Sequence, residues 1–165
     1  AVRLGALAHA FTLPDVAPRF TLAGALRLGV LELELTVRAG VPATFVAGPT
    51  DTARVSIWPA FGGDLAACFA PAIGAFRPAI CGTFVGELWS LVGSGVTNPD
   101  SGTGLLVSGG ARARAAFVFG PGFEVGLQVA ARANLRRPVA EFEGTPAVSS
   151  GPFSLEAGGW LGWSR

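Results

Sequence analysis

The sequence contains no lysine, tyrosine or methionine, one histidine and two cysteines, and only 14% of its residues are charged. Each shortage excludes something. Few charges beside 50% apolar residues rule out a disordered chain, which needs the reverse balance. A formal net charge of +1 gives no reason to expect nucleic acid or an acidic surface as partner. Two cysteines are too few for a disulfide scaffold and lack metal-ligand spacing. No nucleophile elbow, phosphate loop, metal cluster or paired-carboxylate signature occurs, so neither a catalytic set nor a cofactor or metal is expected. Long apolar runs are missing as well: none approaches the roughly 18–20 residues of a spanning helix. All twelve basic residues are arginine, a bias that GC-rich coding explains and that also suits packed ion pairs, since the planar guanidinium bonds carboxylates bidentately. The chain starts at Ala1 without methionine, as expected of a processed or trimmed chain.

What is present is period two. Between Phe123 and Arg136, Phe123, Val125, Leu127, Val129, Ala131, Ala133 and Leu135 fall on one side, against Glu124, Gln128, Arg132, Asn134 and Arg136 on the other. Successive side chains of a strand point to opposite faces, so this is a two-faced strand. LELELTVR repeats the pattern, with Leu31, Leu33, Leu35 and Val37 opposite Glu32, Glu34, Thr36 and Arg38. GARARAAFVF sets Arg112 and Arg114 against Phe117 and Phe119. A helix would need apolar residues every three or four positions and would not tolerate 24 glycines. The fold expected is all-β.

Turn residues divide the 165 residues, a single-domain length, into eight strands at 2–11, 19–28, 30–39, 52–69, 76–92, 104–119, 122–137 and 152–164. The connections alternate: TLPDVAP, GVPATFVAGPT, GSGVTNPDSGT and VAEFEGTPAVSSG are long or moderate, while those at Gly29, PAIGA and Pro121–Gly122 are short. Even strand number, one tight rim and one looped rim describe an eight-stranded antiparallel up-and-down transmembrane β-barrel of the bacterial outer membrane, with the lipid bilayer as its partner. The alternative is a soluble lipocalin-like barrel with its charges outward. The charged face favours the membrane form, because it is thin and interspersed with Gly, Ala and Ser, as the crowded interior of an eight-stranded barrel requires.

On that assignment Arg3, Arg19, Arg27, Arg38, Arg54, Arg112, Arg114 and Arg132 face Glu32, Glu34, Asp64, Glu87, Glu124 and Glu156 across the lumen. Near-balance of sign predicts a packed ion-pair plug, since a bare buried charge costs several kcal/mol. Cys68 and Cys81 flank the PAIGA turn at inward parity and are expected to pair as a disulfide in an oxidising compartment. Trp58 and Trp89 fall at similar heights near the looped rim, where they either fill the barrel top or stack on a ligand. Trp163 is expected in an aromatic girdle. His9 would be the base of a lipid-modifying barrel enzyme, but no spacing selects a partner among Ser56, Ser90, Ser108 and Ser154. Asn98, Asp100 and Ser101 read as a turn and lack calcium-loop periodicity.

Through CFAPAIGAFRPAIC, DSG, GPGFEVGLQVAARANLRRP and FSLEAGGWLGWSR the chain resembles a family of small outer-membrane β-barrel proteins common in myxobacterial genomes. The resemblance implies an OmpA-like outer-membrane barrel and brings no catalytic residues. Such barrels typically end in an aromatic residue read by the assembly machinery; here Trp163 is followed by Ser164 and Arg165, which implies either a tolerant signal or dependence on a partner or a longer precursor. The function expected is non-enzymatic: a structural, adhesive or assembly role, alone or with other envelope proteins. The alternatives are a narrow channel or a small-ligand-binding barrel.

Overall fold

The computed structural model describes residues 2–10, 17–41, 43–47, 53–94, 101–137, 139–142, 145–149 and 151–164. Among them are eleven strands and no helix: β1 Val2–Ala10, β2 Ala17–Leu28, β3 Leu31–Gly40, β4 Ala43–Ala47, β5 Ala53–Phe69, β6 Phe76–Ser94, β7 Ser101–Phe119, β8 Phe123–Arg136, β9 Val139–Phe142, β10 Thr145–Ser149 and β11 Phe153–Trp163. Eight of them close on themselves in the order β1-β2-β3-β5-β6-β7-β8-β11, with β1 returning to β11. Every pairing is antiparallel. The eight-stranded up-and-down barrel read from the alternation is the fold.

The three additional strands lie in connections read as loops. Thr44, Phe45 and Val46 are β-formers, and β5, at 17 residues, continues past the end of β3 and offers them a template. The β9–β10 hairpin forms a separate two-stranded ribbon, irregular after Pro146, which cannot donate to a ladder. At the opposite rim the turns are short. Gly74 and Gly122 hold positive φ of 62° and 104°, a region costly to residues with a Cβ. At Gly122 a Cβ would also collide with the Ser164 carbonyl oxygen at 1.9 Å.

Register sets the tilt. Starting at Ala17 on β2, the row of opposed residues runs through His9, Glu156, Ala130, Arg112, Cys81, Cys68 and Glu32, and re-enters β2 at Arg27, ten residues further along. Closing a sheet with such a stagger tilts its strands by about 35–45° and leaves, with eight strands, an interior just wide enough for side chains.

The two faces are inverted relative to a soluble protein. Among the described residues the buried set is mainly polar, with six arginines and six carboxylates, while half of its apolar members are alanine. The large apolar side chains point outward: Leu31, Leu33, Leu35 and Val37 along β3, and Val125, Leu127 and Val129 along β8. Phe69, Phe117, Phe119, Phe123 and Trp163 ring the short-turn end of this wall, and Phe20, Phe61 and Phe153 its looped end. Ring contacts stitch the lower belt, Phe76 to Phe117 at 5.3 Å and Phe119 to Phe123 at 5.0 Å between centroids. Such an apolar girdle far exceeds the few hundred Å² that a soluble monomer tolerates, and it matches a hydrocarbon band about 25 Å tall between aromatic belts.

Leu127, 71% exposed near mid-wall, discriminates the two environments. Leu127→Arg is expected to lower the stability of the bilayer-inserted protein by about 2–4 kcal/mol. Urea unfolding from vesicles measures this; a change within about 0.5 kcal/mol, normal for an exposed position in water, would contradict a lipid-facing wall.

Candidate functional site

The inward face gathers its charges in two levels. Near the short-turn end, Arg3 donates from Nη1 to Glu32 Oε1 and Glu34 Oε2, both at 2.7 Å, and from Nε to Glu124 Oε2 at 3.4 Å. Arg114 bonds the same pair, Glu32 and Glu34, from the opposite wall, and Arg112 donates to Glu34 Oε1 at 2.6 Å. Half-buried Arg77 reaches Glu124 at 3.4 Å. The Thr36 hydroxyl donates to Glu34 Oε1 at 3.2 Å.

The upper level centres on Arg38, which donates to Asp64 Oδ2 at 2.9 Å, Glu156 Oε1 at 2.7 Å and Glu87 Oε1 at 3.3 Å. Arg132 pairs with Asp64 and Glu156 and donates from Nε to the Thr83 hydroxyl at 3.2 Å. Arg19 pairs with Glu87. Arg112 lies 3.8 Å from Asp64 and joins the two levels into one network. Its members come from all eight barrel strands, because parity directs alternate residues of each strand into one narrow space. Every carboxylate in it meets at least one guanidinium, which offsets the several kcal/mol per ion of desolvation.

Aromatic rings and glycines complete the filling. Trp89 is buried and donates from Nε1 to Glu87 Oε2 at 3.2 Å. Trp160 is also buried, and the Arg3 guanidinium lies 4.9 Å from its ring centroid, a cation–π contact. Gly126 gives this indole its space: a Cβ there would sit 2.5 Å from the ring. Gly62 does the same for the Glu87 side chain, at 2.6 Å. Between the two levels a cavity of about 20 Å³ remains, lined by residues including Arg3, Glu34, Arg38, Arg112 and Trp160. That is room for about one water molecule.

The structure brings together Arg38, Arg112, Arg114, Arg132, Glu32, Glu34, Asp64, Glu87, Glu124 and Glu156, with Arg3 and Arg19. Arg27 departs from its expected place among them. It donates instead to the backbone carbonyls of Gly29 and Ala70, at 3.1 and 2.5 Å. The reason is its height: Arg27 stands one residue before the end of β2, beside turn carbonyls, and its cross-strand neighbour Glu32 is occupied by Arg3 and Arg114. It therefore fastens two short turns together. The side chains of Arg54, Trp58 and His9 lie outside the described residues, as do Asn98 and Asp100, so the tryptophan pair is represented by Trp89 alone.

Trp160 and Arg77 were not singled out by sequence. The parity of Trp160 with Glu156, opposite to that of Trp163, was the available signal. Trp163 itself is exposed in the lower belt. Cys68 and Cys81 face each other across β5 and β6, both buried, and form a disulfide on the lumen side near the Gly74 turn.

No family model matches the chain, and no curated protein matches its sequence. Solved structures do match. The barrel of Neisserial surface protein A superposes with a TM-score of 0.65 at 8% identity, covering 99% of this chain and 96% of that one. The N-terminal β-barrel domain of Pseudomonas aeruginosa OprF gives 0.53 at 11% identity over 97% and 95% of the two chains. Ail, the attachment invasion locus protein of Yersinia pestis, gives 0.53 at 12% identity over 96% of each. The fold is that of small outer-membrane barrels. At these identities the likeness is one of architecture, and it spans the whole barrel in each case.

Arg38 is the member whose loss strands most charge. Arg38→Met is expected to cost about 3–5 kcal/mol, the penalty for breaking a buried pair, in urea unfolding of the micelle-bound protein; less than 1 kcal/mol would mean that the lumen is hydrated and the network loosely held. The disulfide closes a sequence separation of 13 residues, worth about 3 kcal/mol by loop entropy. Cys68→Ser should therefore unfold at lower urea than the oxidised wild type and match the reduced wild type; coincident oxidised and reduced curves would show that the bridge adds nothing.

Proposed function

We propose that this chain is a non-enzymatic barrel of the bacterial outer membrane whose closed body anchors its looped rim, and that the rim carries a structural, adhesive or assembly role among envelope components. The observation that supports this most is the inside-out distribution: balanced ion pairs inside, and a continuous apolar wall between aromatic belts outside. A wall of this kind is stable only in lipid. The whole-length likeness to barrels of the same strand number is in keeping with that address.

The packed lumen argues for an anchor rather than a pore. Free passage of solutes needs about sixteen strands, whereas here eight strands enclose arginine–carboxylate contacts on two levels. Among the described residues, material available for recognition sits at the looped rim. Strand β4 and the distal parts of β5, β6 and β7 extend past the closed barrel, and the β9–β10 ribbon adds a second projection. Rim segments of this sort carry specificity on a rigid scaffold. Ail, one of the structures of the same fold, is an attachment protein seen with a heparin analogue, sucrose octasulfate; attachment through the rim is the corresponding reading here. The resemblance to myxobacterial barrel proteins through the Cys68–Cys81 hairpin agrees with a barrel lacking catalytic groups.

Two measurements test the proposal. In planar bilayers the reconstituted protein should give no persistent conductance above leak; steady openings would replace the anchor with the narrow-channel alternative. Without detergent the protein should precipitate or require vesicles; a monodisperse detergent-free monomer at high concentration would overturn the membrane address in favour of a soluble lipocalin-like binder.

A further inference from the structure

The lumen network leaves some of its donors unused. Among the described residues five buried side-chain atoms lack a hydrogen-bond partner: Arg38 Nε, Arg77 Nε, Arg112 Nε, Trp160 Nε1 and Asp64 Oδ1. Four are N–H donors, and a buried donor left bare is costly. Three of the four, on Arg38, Arg112 and Trp160, belong to residues that line one cavity, the space of about 20 Å³ between the two charge levels. Neither Arg77 nor Asp64 is on its lining. The three residues come from β3, β7 and β11 and are 2%, 3% and 6% exposed, so bulk water does not serve them.

The rest of the lining decides what can meet them. Arg3 and Arg114 bring the guanidinium groups around the cavity to four, against a single carboxylate among the described lining residues, Glu34. That carboxylate is saturated. Its Oε1 accepts from Arg112 and Thr36 and its Oε2 from Arg3 and Arg114, which uses the roughly four acceptor positions a carboxylate has. Arginine and tryptophan offer no acceptor at all, and Thr21 and Gln128 can each turn a donor inward. A water molecule here would receive N–H groups and find little to accept its own protons, whereas an anion only accepts. Size narrows the choice further. The cavity is somewhat larger than the roughly 10–15 Å³ a water requires, and far too small for phosphate, sulfate or a carboxylate on a chain.

We infer that this cavity binds one monatomic, monovalent anion, chloride in ordinary media, through the Nε–H groups of Arg38 and Arg112 and the Nε1–H of Trp160. Hydrogen bonds between charged partners are the strong ones, and guanidinium gives up its hydration readily. The network as a whole accommodates the charge. With half-buried Arg77 it sets seven guanidinium groups against six carboxylates among the described residues, and one anion makes the two signs equal. The ion is a fixed counter-charge between the levels, since Arg38 belongs to the upper one and Arg112 joins the two. The inference depends on the closed lumen alone and on no role of the rim.

The test unfolds the full chain with urea in neutral-detergent micelles, in sodium chloride and in sodium gluconate of equal ionic strength. A ligand bound only by the folded state raises the folding constant in proportion to its excess over Kd, so about 100 mM chloride in place of gluconate should raise it about tenfold. Trp160→Phe keeps an aromatic ring and removes one donor, and should cut that gain to about threefold. Gln128→Glu puts a fixed negative charge on the lining and should abolish the gain. Wild-type crystals grown in bromide should show an anomalous peak between Arg38, Arg112 and Trp160, and Gln128→Glu crystals should show none there. Equal stability of the wild type in the two salts would assign the cavity to water only and overturn the site. A chloride gain that both variants retain, or bromide bound only outside the lumen, would place the anion on the surface and overturn it equally.

Discussion

Pairing of Leu31–Ala39 with Phe61–Phe69 completes the ring of hydrogen-bonded strands, and the character of everything else is fixed by that ring being closed and small. In hydrocarbon no water is available to an unpaired N–H or C=O, so a sheet can reside there only without edges. Eight strands satisfy this and leave an interior no wider than opposing side chains. The charged side chains that enter it have little solvent to fall back on, and the carboxylates among them meet guanidinium groups from other strands.

This explains the pattern of sharing. Glu34 is met by Arg3, Arg112 and Arg114, and Arg38 meets Asp64, Glu87 and Glu156. Isolated surface pairs contribute little because water and salt compete with them. Here competition is excluded by the wall, and each removed partner leaves a charge with a large desolvation cost. Glycine and alanine between the charges are part of the same arrangement, since the Trp160 ring and the Glu87 stem occupy the volumes that side chains at Gly126 and Gly62 would otherwise fill.

Much of this was legible in the sequence because period two reports the face of every residue, and alternating loop lengths report the rims. Parity alone placed Glu32, Glu34, Arg112, Arg114 and Arg132 together, and the symmetry of Cys68 and Cys81 about the Gly74 turn placed them opposite each other. Height is what parity does not carry. Arg27 has inward parity, yet at the strand end it donates to turn carbonyls, because its neighbour Glu32 is held by Arg3 and Arg114. Trp160 was masked by its neighbour Trp163, which has the opposite parity and occupies the belt. The strands β4, β9 and β10 read as loop in the sequence because their segments are short and flanked by Gly and Pro, and only the overhang of β5 gives β4 a template.

The seam of the barrel is the pairing of its first strand with its last, Val2–Ala10 with Leu155–Trp163. Neighbouring hairpins such as β5–β6 form from contacts close in sequence, and the disulfide lies within one of them. The seam joins the two ends of the chain, as do the ion pairs from Arg3 to Glu124 and from Arg38 to Glu156, separated by 121 and 118 residues. Until that join is made the molecule is an open ribbon with two free edges and an unmatched row of charges. Closure therefore carries a larger loop-closure entropy than any hairpin of the barrel, and the ion pairs that span the same chain distances share that cost.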